Sequence, residues 1–429
     1  MKQPKNERLS QTASICQFAL ELTCCSLGGA LPAPSRVAGW KDAQWDALLH
    51  ECIRQGVVLH AAESLRRADI PVPPECAERF LLAAAQITVQ NDCLLKLQRA
   101  LVRILTKEAI PFVILKGACT ASAYPDPAQR MLGDVDFLIA PSDRQRTNAA
   151  LTAHGFSLSH AGENPWHDSY RFHGYTAEMH FCIPGLPAGK KGDKLRAFFS
   201  DLPQSSSPCR IGADTFPVPV PAQQALILLL HIQKHMQNDG IGLRQLADWS
   251  AFCRKYETAP FWSALLPLLH AEGLYRFAAV LCRLCTTCLN GALPPGLDGG
   301  EDALCDALLE DIFTGGEFGR KAPGRADAGA LITGDHEYDG SHGGLYHTAV
   351  MAKRFVRRRY PIVDRCPLLY LPLLPWCALL RLGMVLRGRR HGYFQMLAHM
   401  RRRRRLYRRM HLFQKEPAQR ESSNPPGPS

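Results

Sequence analysis

The sequence predicts an α+β protein, in which a small mixed α/β core is flanked by large N- and C-terminal all-helical segments. Apolar residues recur every three or four positions from Trp40 to Lys107, which is the period of an amphipathic helix. Near residue 110 the pattern changes to short apolar, β-branched runs, and from Ala222 the helical period returns. A sheet-forming segment between two helical segments accounts for these observations.

The elements of the core follow from its local patterns. The run PFVILKG predicts a buried strand that ends at a glycine, and ACTASAYPD predicts a short helix of small residues. Val135–Ala140 predicts a second strand, and SDRQRTNAALTAHGF predicts a helix. FSLSHA, SYRFHG and TAEMHFCI predict further strands, and the last two are candidates for a hairpin. Ser205–Pro221 is rich in Pro and Ser and predicts a connection.

These patterns predict a division of the chain into five segments. They are an N-terminal helical region (1–109), an α/β core (110–204), a helical domain (222–352), a basic, apolar C-terminal segment (353–416) and a disordered tail (417–429). Within the helical domain, Glu317–Gly344 is rich in glycine and charge and predicts a flexible loop.

The charge of the chain is concentrated at its C-terminal end. The 429 residues carry a formal net charge of +12, and 46% of them are hydrophobic, which excludes a mostly disordered chain. Between Lys353 and Arg420 there are 19 Lys and Arg residues and two acidic residues, a net +17, so the remainder of the chain is −5. The basic character therefore says little about the partner of the main body.

Cysteine usage and the N-terminal segment predict a cytoplasmic protein. The N-terminal apolar stretch places Ile15, Phe18 and Leu22 on one helix face and is interrupted by Glu21, so it resembles a signal peptide only loosely; a cleaved signal is the alternative. Cys282, Cys285 and Cys288 lie three residues apart in an apolar helical run. We interpret them as core cysteines, with a metal or cluster site as the alternative. No apolar run reaches the roughly 18 residues that a membrane span requires.

The most informative motif is Asp134-Val135-Asp136, at the head of the second predicted strand. Successive side chains of a strand alternate, so the two carboxylates point the same way and repel each other. A divalent cation between them removes that repulsion, and oxygen ligands suit Mg²⁺ or Mn²⁺. A solvated strand end is the alternative for an isolated motif of this kind.

The surroundings of the motif favour phosphate chemistry. Gly117 follows the first strand and permits close approach of the backbone to a phosphate, with Lys116 adding positive charge. Arg130 offers a fork of donors for a phosphate. Glu178, on a neighbouring strand, offers a third carboxylate, and His180 lies on the same side two residues later. Three carboxylates of this kind suit two-metal phosphoryl transfer.

The run LKGACTASAYPDPAQRMLGDVDFLI resembles the core of the DNA polymerase β-like nucleotidyltransferase superfamily. More narrowly, it resembles the uncharacterised nucleotidyltransferase family, whose signature is L-K-G … R … D-[IV]-D-[FL]-[LI]. The acid-x-His strand of that family is matched by Glu178-Met179-His180. Its H-x-x-K-H … G-x-G-L-R-Q-x-x-D-W segment is filled here by His231, Lys234, His235, Gly240, Gly242, Leu243, Arg244, Gln245, Asp248 and Trp249.

The resemblance implies a mixed sheet flanked by helices and a site for two metal ions. It implies that Asp134, Asp136 and Glu178 hold Mg²⁺ (or Mn²⁺), and that Glu178 helps to activate an attacking hydroxyl. The Gly117 turn, with Lys116, would cradle the triphosphate of an NTP substrate. The implied reaction is in-line attack on the α-phosphate with release of pyrophosphate, to an acceptor that the sequence does not identify.

The helical segment after the core suggests further contacts to the nucleotide. We predict that His180, His235, Arg244 and Asp248 contact the nucleotide or its phosphates; for Arg244 and Asp248, anchoring of their own helix is an equal alternative. His231 and His235 lie at i and i+4 and can share a ligand. A zinc site there would need an acidic or Cys partner, which the sequence does not indicate.

The C-terminal arginines do not identify a single binding partner. Arg401–Arg409 could contact an anionic membrane surface or nucleic acid, or could form a solvated basic helix that closes the fold. A peripheral membrane location is therefore the alternative to a purely cytoplasmic one. The phosphate turn is Lys-Gly-Ala where the superfamily usually has Gly-Ser. This difference motivates an alternative function, a catalytically inactive nucleotidyltransferase-like protein that binds an anionic partner through its basic end.

Overall fold

The structure, a computed structural model, describes most of the chain up to residue 321 and parts of the C-terminal segment. The described ranges are 5–160, 167–187, 189–237, 240–297 and 299–321, and then 353, 356–357, 359–377, 379, 403, 405–410 and 412–413. Most of the predicted loop Glu317–Gly344, the whole tail 417–429, and Arg401, Arg402 and Arg404 lie outside the described residues.

Twelve helices are described. They are α1 (Lys5–Ser26), α2 (Asp42–Gln55), α3 (Val58–Arg67), α4 (Pro74–Lys107), α5 (Ala118–Ala121), α6 (Arg144–Ala153), α7 (Gly189–Phe198), α8 (Pro221–Gln237), α9 (Leu243–Lys255), α10 (Ala259–Ala271), α11 (Tyr275–Cys288) and α12 (Asp302–Gly315). None of the described helices is both long enough and apolar enough to cross a membrane.

The part of the chain that the structure describes contains seven strands, which form two sheets. They are β1 (Phe112–Ile114), β2 (Val135–Ile139), β3 (Ser157–His160), β4 (His167–Phe172), β5 (Tyr175–His180), β6 (Ser207–Ile211) and β7 (Asp214–Val218). The main sheet has the order β1-β2-β5-β4-β3 and is mixed, because β2 pairs with β5 in parallel while its other pairs are antiparallel. This small mixed sheet between helical segments confirms the predicted α+β class, and the predicted β4–β5 hairpin is present.

One predicted element was wrong. Ser205–Pro221, predicted as a connection, contains the antiparallel hairpin β6–β7. The hairpin turns at Gly212, whose φ is +59°. Pro208 and Pro217 face each other across this two-stranded ladder, where no further strand is described on either side. Proline is tolerated in such edge strands, so its presence did not exclude strand structure.

The two faces of the main sheet pack against different cores. Phe137 and Ile139 of β2 belong to a cluster with the C-terminal half of α4 and with β7. Leu138, which points the other way, belongs to the large cluster formed by α1–α3 and α8–α12. Because side chains alternate along a strand, Asp136 shares the face of Leu138, toward α8. The sheet thus directs Asp136 toward the helical domain.

The cysteine string lies in the large core. Cys282 and Cys285 of α11 are fully buried, Cys288 is half-buried, and the indole of Trp249 donates a hydrogen bond to the Cys282 sulphur at 3.2 Å. Burial raises the pKa of the Cys285 thiol well above its ordinary value. The interpretation of these residues as core cysteines agrees with their packing.

Candidate functional site

The parallel pairing of β2 with β5 brings two predicted carboxylates side by side. Asp136 and Glu178 are direct partners in the register of this pair, and Leu138 lies opposite His180. Since alternate residues of a strand share a face, Glu178 and His180 point to the same side as Asp136. A contact between residues more than forty positions apart thus follows from the pairing of two neighbouring strands.

Asp136, Glu178 and His180 converge tightly. One ligand atom from each lies within 4.8 Å of the others. His180 Nε2 is 2.7 Å from Asp136 Oδ1 and 3.5 Å from Glu178 Oε2. Asp136 and His180 are almost completely buried, whereas the Glu178 side chain keeps about a quarter of its exposure (26%). The cluster is therefore reached from solvent on the side of Glu178.

Lys116 contacts the other oxygen of Asp136. The backbone N–H of Leu115, just after β1, donates to the Asp136 carbonyl, which places Lys116 beside the carboxylate. The Lys116 ammonium lies 2.9 Å from Asp136 Oδ2 and 3.4 Å from His231 Nδ1 on α8. The two oxygens of Asp136 are thus divided between a lysine and a histidine.

The charges of the cluster set its pKa values. Burial disfavours the ionised form of Asp136, but Lys116 and His180 outweigh it and hold the pKa of that carboxyl well below its usual range. Burial opposes protonation of His180, but its hydrogen bonds to Asp136 and Glu178 raise its pKa. Burial also opposes ionisation of Glu178, yet the His180 contact lowers its pKa. The cluster therefore favours ionised carboxylates.

Asp134 carries an uncompensated charge. Repulsion from Asp136, together with burial, raises the pKa of Asp134 to about 6, although Lys116 attracts its carboxylate. Lys116 and His180 leave the repulsion between Asp134 and Asp136 uncompensated, so the cluster attracts a further cation. The donor set, which is carboxylate oxygens and one imidazole, fits a divalent metal ion.

Replacing Asp134 by Asn is expected to stabilise the metal-free protein at pH 8 by about 1–2 kcal/mol of unfolding free energy. The pKa of Asp134 is about 6 in the folded protein, against an ordinary value of 3.8. The stability that this shift contributes to the folded state is therefore fully present below pH 3.8 and is lost as the pH rises through 6. The gain from Asn should therefore shrink as the pH is lowered from 8 toward 4. Urea unfolding in EDTA at several pH values measures it, and a less stable variant at pH 8 would contradict the repulsion.

The turn after β1 requires glycine. Gly117 has φ +69° and ψ −108°, a backbone conformation that side chains disfavour. A Cβ at this position would still have room, because its nearest neighbour would be the Asp134 carbonyl oxygen at 3.8 Å. The need for glycine here is therefore conformational rather than steric.

Substitution Gly117→Ala is expected to lower the free energy of unfolding by about 1–2 kcal/mol, because it places a Cβ at positive φ. Gly133→Ala is the matched control, since Gly133 has no positive φ and its Cβ would approach nothing closer than 4.0 Å. Chemical denaturation of both variants measures the effect. Equal losses of stability would remove the argument from backbone conformation.

Arg130 and Asp248, both predicted to contact nucleotide, contact each other in the structure. The guanidinium of Arg130 donates to both carboxylate oxygens of Asp248, at 2.7 and 2.9 Å, and both residues are buried. The hydroxyl of Tyr124 donates to the same carboxylate at 2.6 Å. Asp248 lies on α9, so this pair ties the loop before β2 to the helical domain. This contact corresponds to the predicted alternative in which Asp248 anchors its own helix rather than contacting the nucleotide.

Arg244 and His235 lie on the α8–α9 side of the site. Arg244 pairs with the buried carboxylate of Glu317 at 2.5 Å and donates to the Met131 carbonyl at 3.0 Å. The ring of His235 packs edge-on against His231 and Phe318, with centroids 4.4 and 4.9 Å apart. These contacts hold α8 and α9 around the loop that carries Asp134.

Two histidines near the cluster were absent from the predicted site. His231 contacts Lys116, and His167 of β4 lies 3.9 Å from Glu178 Oε1. His231 had a signal in the sequence, because it precedes His235 by one helical turn and faces the same way. His167 could be found from the hairpin register alone, in which it lies opposite His180.

Part of the C-terminal arginine run contacts the main body. Arg403 is buried, and it and Tyr407 both donate to the Met236 carbonyl at the end of α8. Arg409 pairs with Glu301 at 2.9 Å. Among the described residues of the run, Arg405, Arg408 and Arg409 are exposed. These contacts correspond to the alternative in which the run closes the fold.

Comparison with known proteins identifies one family. The model of the family described as "Uncharacterised nucleotidyltransferase" matches residues 41–290, more than half of the chain. The match covers the sheet, the carboxylate cluster and α8–α11, and it confirms the resemblance drawn from the motifs. No curated protein and no solved structure matches the chain.

Proposed function

The chain belongs to the uncharacterised nucleotidyltransferase family, and on that premise we propose that it moves an NMP group from an NTP to a hydroxyl of a small-molecule, sugar or protein acceptor. The observation that carries the proposal is the convergence of Asp136, Glu178 and His180 on one sheet face, with Asp134 two residues before Asp136. Such a cluster has a strong attraction for a divalent cation and for the phosphates that accompany it.

Asp134, Asp136 and Glu178 would hold the metal, Mg²⁺ or Mn²⁺. Bound there, the cation would supply positive charge to the attacking and leaving oxygens of the transfer. The exposed side of the cluster, at Glu178, is where the substrates approach. Asp136 is buried and oriented by Lys116 and His180, so its carboxylate is fixed before any ligand binds.

The remaining residues have roles in handling protons and phosphate charge. Glu178, ionised because its pKa is lowered, accepts the proton of the acceptor hydroxyl. The acceptor oxygen then bonds to the α-phosphorus as its bond to the β-phosphate oxygen breaks, and pyrophosphate leaves. Lys116, beside Asp136 and the Gly117 turn, contributes a positive charge for the triphosphate. Arg130 and Asp248 pair with each other and tie the loop before β2 to α9.

The experiment that tests this function is label transfer from NTPs. The purified full chain is incubated with each of the four NTPs labelled in the α-phosphate, with Mg²⁺ or Mn²⁺ and a cell extract as the source of acceptors. A labelled product that requires both the protein and the metal is expected. Absence of such a product with all four nucleotides and both metals would count against the proposal.

A second candidate function, binding to an anionic membrane surface, has one specific observation in its favour. In the described part of the C-terminal segment, Leu368, Leu371 and Trp376 expose 80, 74 and 52% of their surface. The exposed cations Lys353 and Arg359 belong to the same segment. Exposed apolar and basic side chains in one segment suit an interface between lipid headgroups and acyl chains better than a nucleic-acid backbone. This role is compatible with an active or an inactive catalytic cluster.

The double variant Leu368→Ser/Leu371→Ser is expected to weaken partition onto vesicles of phosphatidylcholine and phosphatidylglycerol by about tenfold or more, since each buried leucine contributes about 1.5–3 kcal/mol. Leu81→Ser/Leu82→Ser, which changes two exposed leucines of α4, is the control and should bind as wild type does. Vesicle flotation measures both. Equal binding by the two variants, or wild-type binding to RNA but not to vesicles, would rule out this surface.

A further inference from the structure

The imidazole of His180 occupies an unusual place among the carboxylates of the site. Its Nε2 lies between Asp136 Oδ1 at 2.7 Å and Glu178 Oε2 at 3.5 Å, and the residue is 2% exposed. Lys116 pairs with Oδ2 of Asp136 at 2.9 Å, so Nε2 contacts the one oxygen of that carboxylate that the lysine leaves open, on the side of Glu178. The position of Nε2 therefore calls for a more specific account.

The spacing of these atoms matches the ligands of one metal ion. In an octahedral site with bonds of about 2.1 Å, adjacent ligand atoms lie about 3.0 Å apart. The distances of 2.7 and 3.5 Å from His180 Nε2 to the two carboxylate oxygens lie on either side of that value. A cation bound between these atoms would replace the hydrogen bond from Nε2 to Asp136 Oδ1, and the imidazole would release its Nε2 proton. Asp136 can ligate through Oδ1 while Oδ2 keeps its contact with Lys116.

We infer that His180 Nε2 is a metal ligand beside Asp136 and Glu178, and that the resulting mixed nitrogen and oxygen site prefers Mn²⁺ to Mg²⁺. Mg²⁺ strongly favours oxygen ligands, whereas imidazole suits transition metals. The inference rests on the metal site of the proposed function and adds to it the identity of a ligand and of the preferred ion. It does not require that the transfer reaction be observed.

Pulsed electron paramagnetic resonance of bound Mn²⁺ tests the ligand directly, because a coordinated imidazole nitrogen modulates the electron spin echo. The full chain loaded with Mn²⁺ is expected to show ¹⁴N modulation, which changes to the ¹⁵N pattern when the histidines are labelled with ¹⁵N. This comparison needs no variant and so cannot fail through misfolding. Mn²⁺ bound without nitrogen modulation would overturn the inference.

Variants then identify the histidine that supplies the coordinated nitrogen and test whether it causes the preference for Mn²⁺ over Mg²⁺. His180→Gln should lose the modulation. His231→Gln should keep it, because the ring of His231 contacts Lys116 rather than the carboxylates. In competition titrations the wild type should bind Mn²⁺ at least about tenfold more tightly than Mg²⁺, and His180→Asp should reduce that ratio. Modulation that disappears in His231→Gln and persists in His180→Gln would contradict the assignment.

The outcomes separate this inference from the proposed function. If Mn²⁺ binds, requires Asp136 and shows no nitrogen ligand, the inference is wrong while the metal-dependent function stands. If neither Mn²⁺ nor Mg²⁺ binds to the folded chain, in the presence or absence of NTP, both are wrong.

Discussion

Replacing Asp136 by Asn is expected to lower the rate of nucleotidyl transfer by at least about a thousandfold, which corresponds to about 4 kcal/mol of transition-state stabilisation. Asp136 is the most deeply buried of the three predicted carboxylate ligands and contacts both Lys116 and His180. An amide is neutral and a weak metal ligand, so it neither attracts the cation nor fixes its position. Initial rates of α-phosphate label transfer measure the effect.

Asp168→Asn is the matched control for this variant. Asp168 is also fully buried and also pairs with a cationic side chain, since Arg144 donates to it at 2.7 and 2.8 Å. It lies opposite Met179 in the β4–β5 register, on the face of the sheet away from the cluster. Both variants should lose stability, but only Asp136→Asn should lose transfer at a temperature where both are folded. Comparable losses of transfer by the two folded variants would contradict a role in transfer that is specific to Asp136.

The variant Arg130→Ala is expected to lower the free energy of unfolding by about 3–5 kcal/mol, because it leaves the buried carboxylate of Asp248 without its cation. The pair is almost fully buried and bidentate, and Tyr124 also donates to Asp248. A penalty of this size is a large fraction of the stability of a typical domain. Equilibrium denaturation in urea, with circular dichroism as the readout, measures it.

Two comparisons make this prediction specific. Arg66→Ala removes an exposed pair with Glu63 at 2.8 Å and should cost less than about 1 kcal/mol. The double variant Arg130→Met/Asp248→Leu should be less destabilised than Arg130→Ala, because it leaves no unpaired buried charge. If Arg130→Ala is as stable as wild type and instead loses affinity for NTP, Arg130 is a phosphate ligand, as its motif first suggested.

The sequence was sufficient for the fold class because its signals are local. The change of hydrophobic period near residue 110 marks β1, and the alternation in GDVDFLIA marks β2. The hairpin β6–β7 was missed because Pro208 and Pro217 favour a loop wherever the pairing of a strand is unknown. Whether a proline lies in an edge strand depends on tertiary neighbours, which a local pattern does not contain.

For the candidate site, the sequence allowed the relative positions of Asp136 and Glu178 to be predicted, but not the partners of the cationic side chains. The alternation of β2 and β5 was enough to bring Asp136 and Glu178 to one face. The pairing of Arg130 with Asp248, residues 118 positions apart, depends on how α9 packs against the loop before β2. A fork-shaped cation suits a phosphate and a carboxylate equally, so the residue type alone could not decide between them.

The most direct test of the central claim is to follow which phosphate of the NTP reaches the acceptor. The purified chain is given the NTP labelled either in the α- or in the γ-phosphate, with Mn²⁺ or Mg²⁺, and the acceptor fraction is separated from the free phosphates. Nucleotidyl transfer predicts that α-label appears in the acceptor while γ-label leaves as pyrophosphate, and that Asp136→Asn abolishes both. Transfer of γ-label to the acceptor, or α-label transfer that persists in Asp136→Asn, would contradict the account.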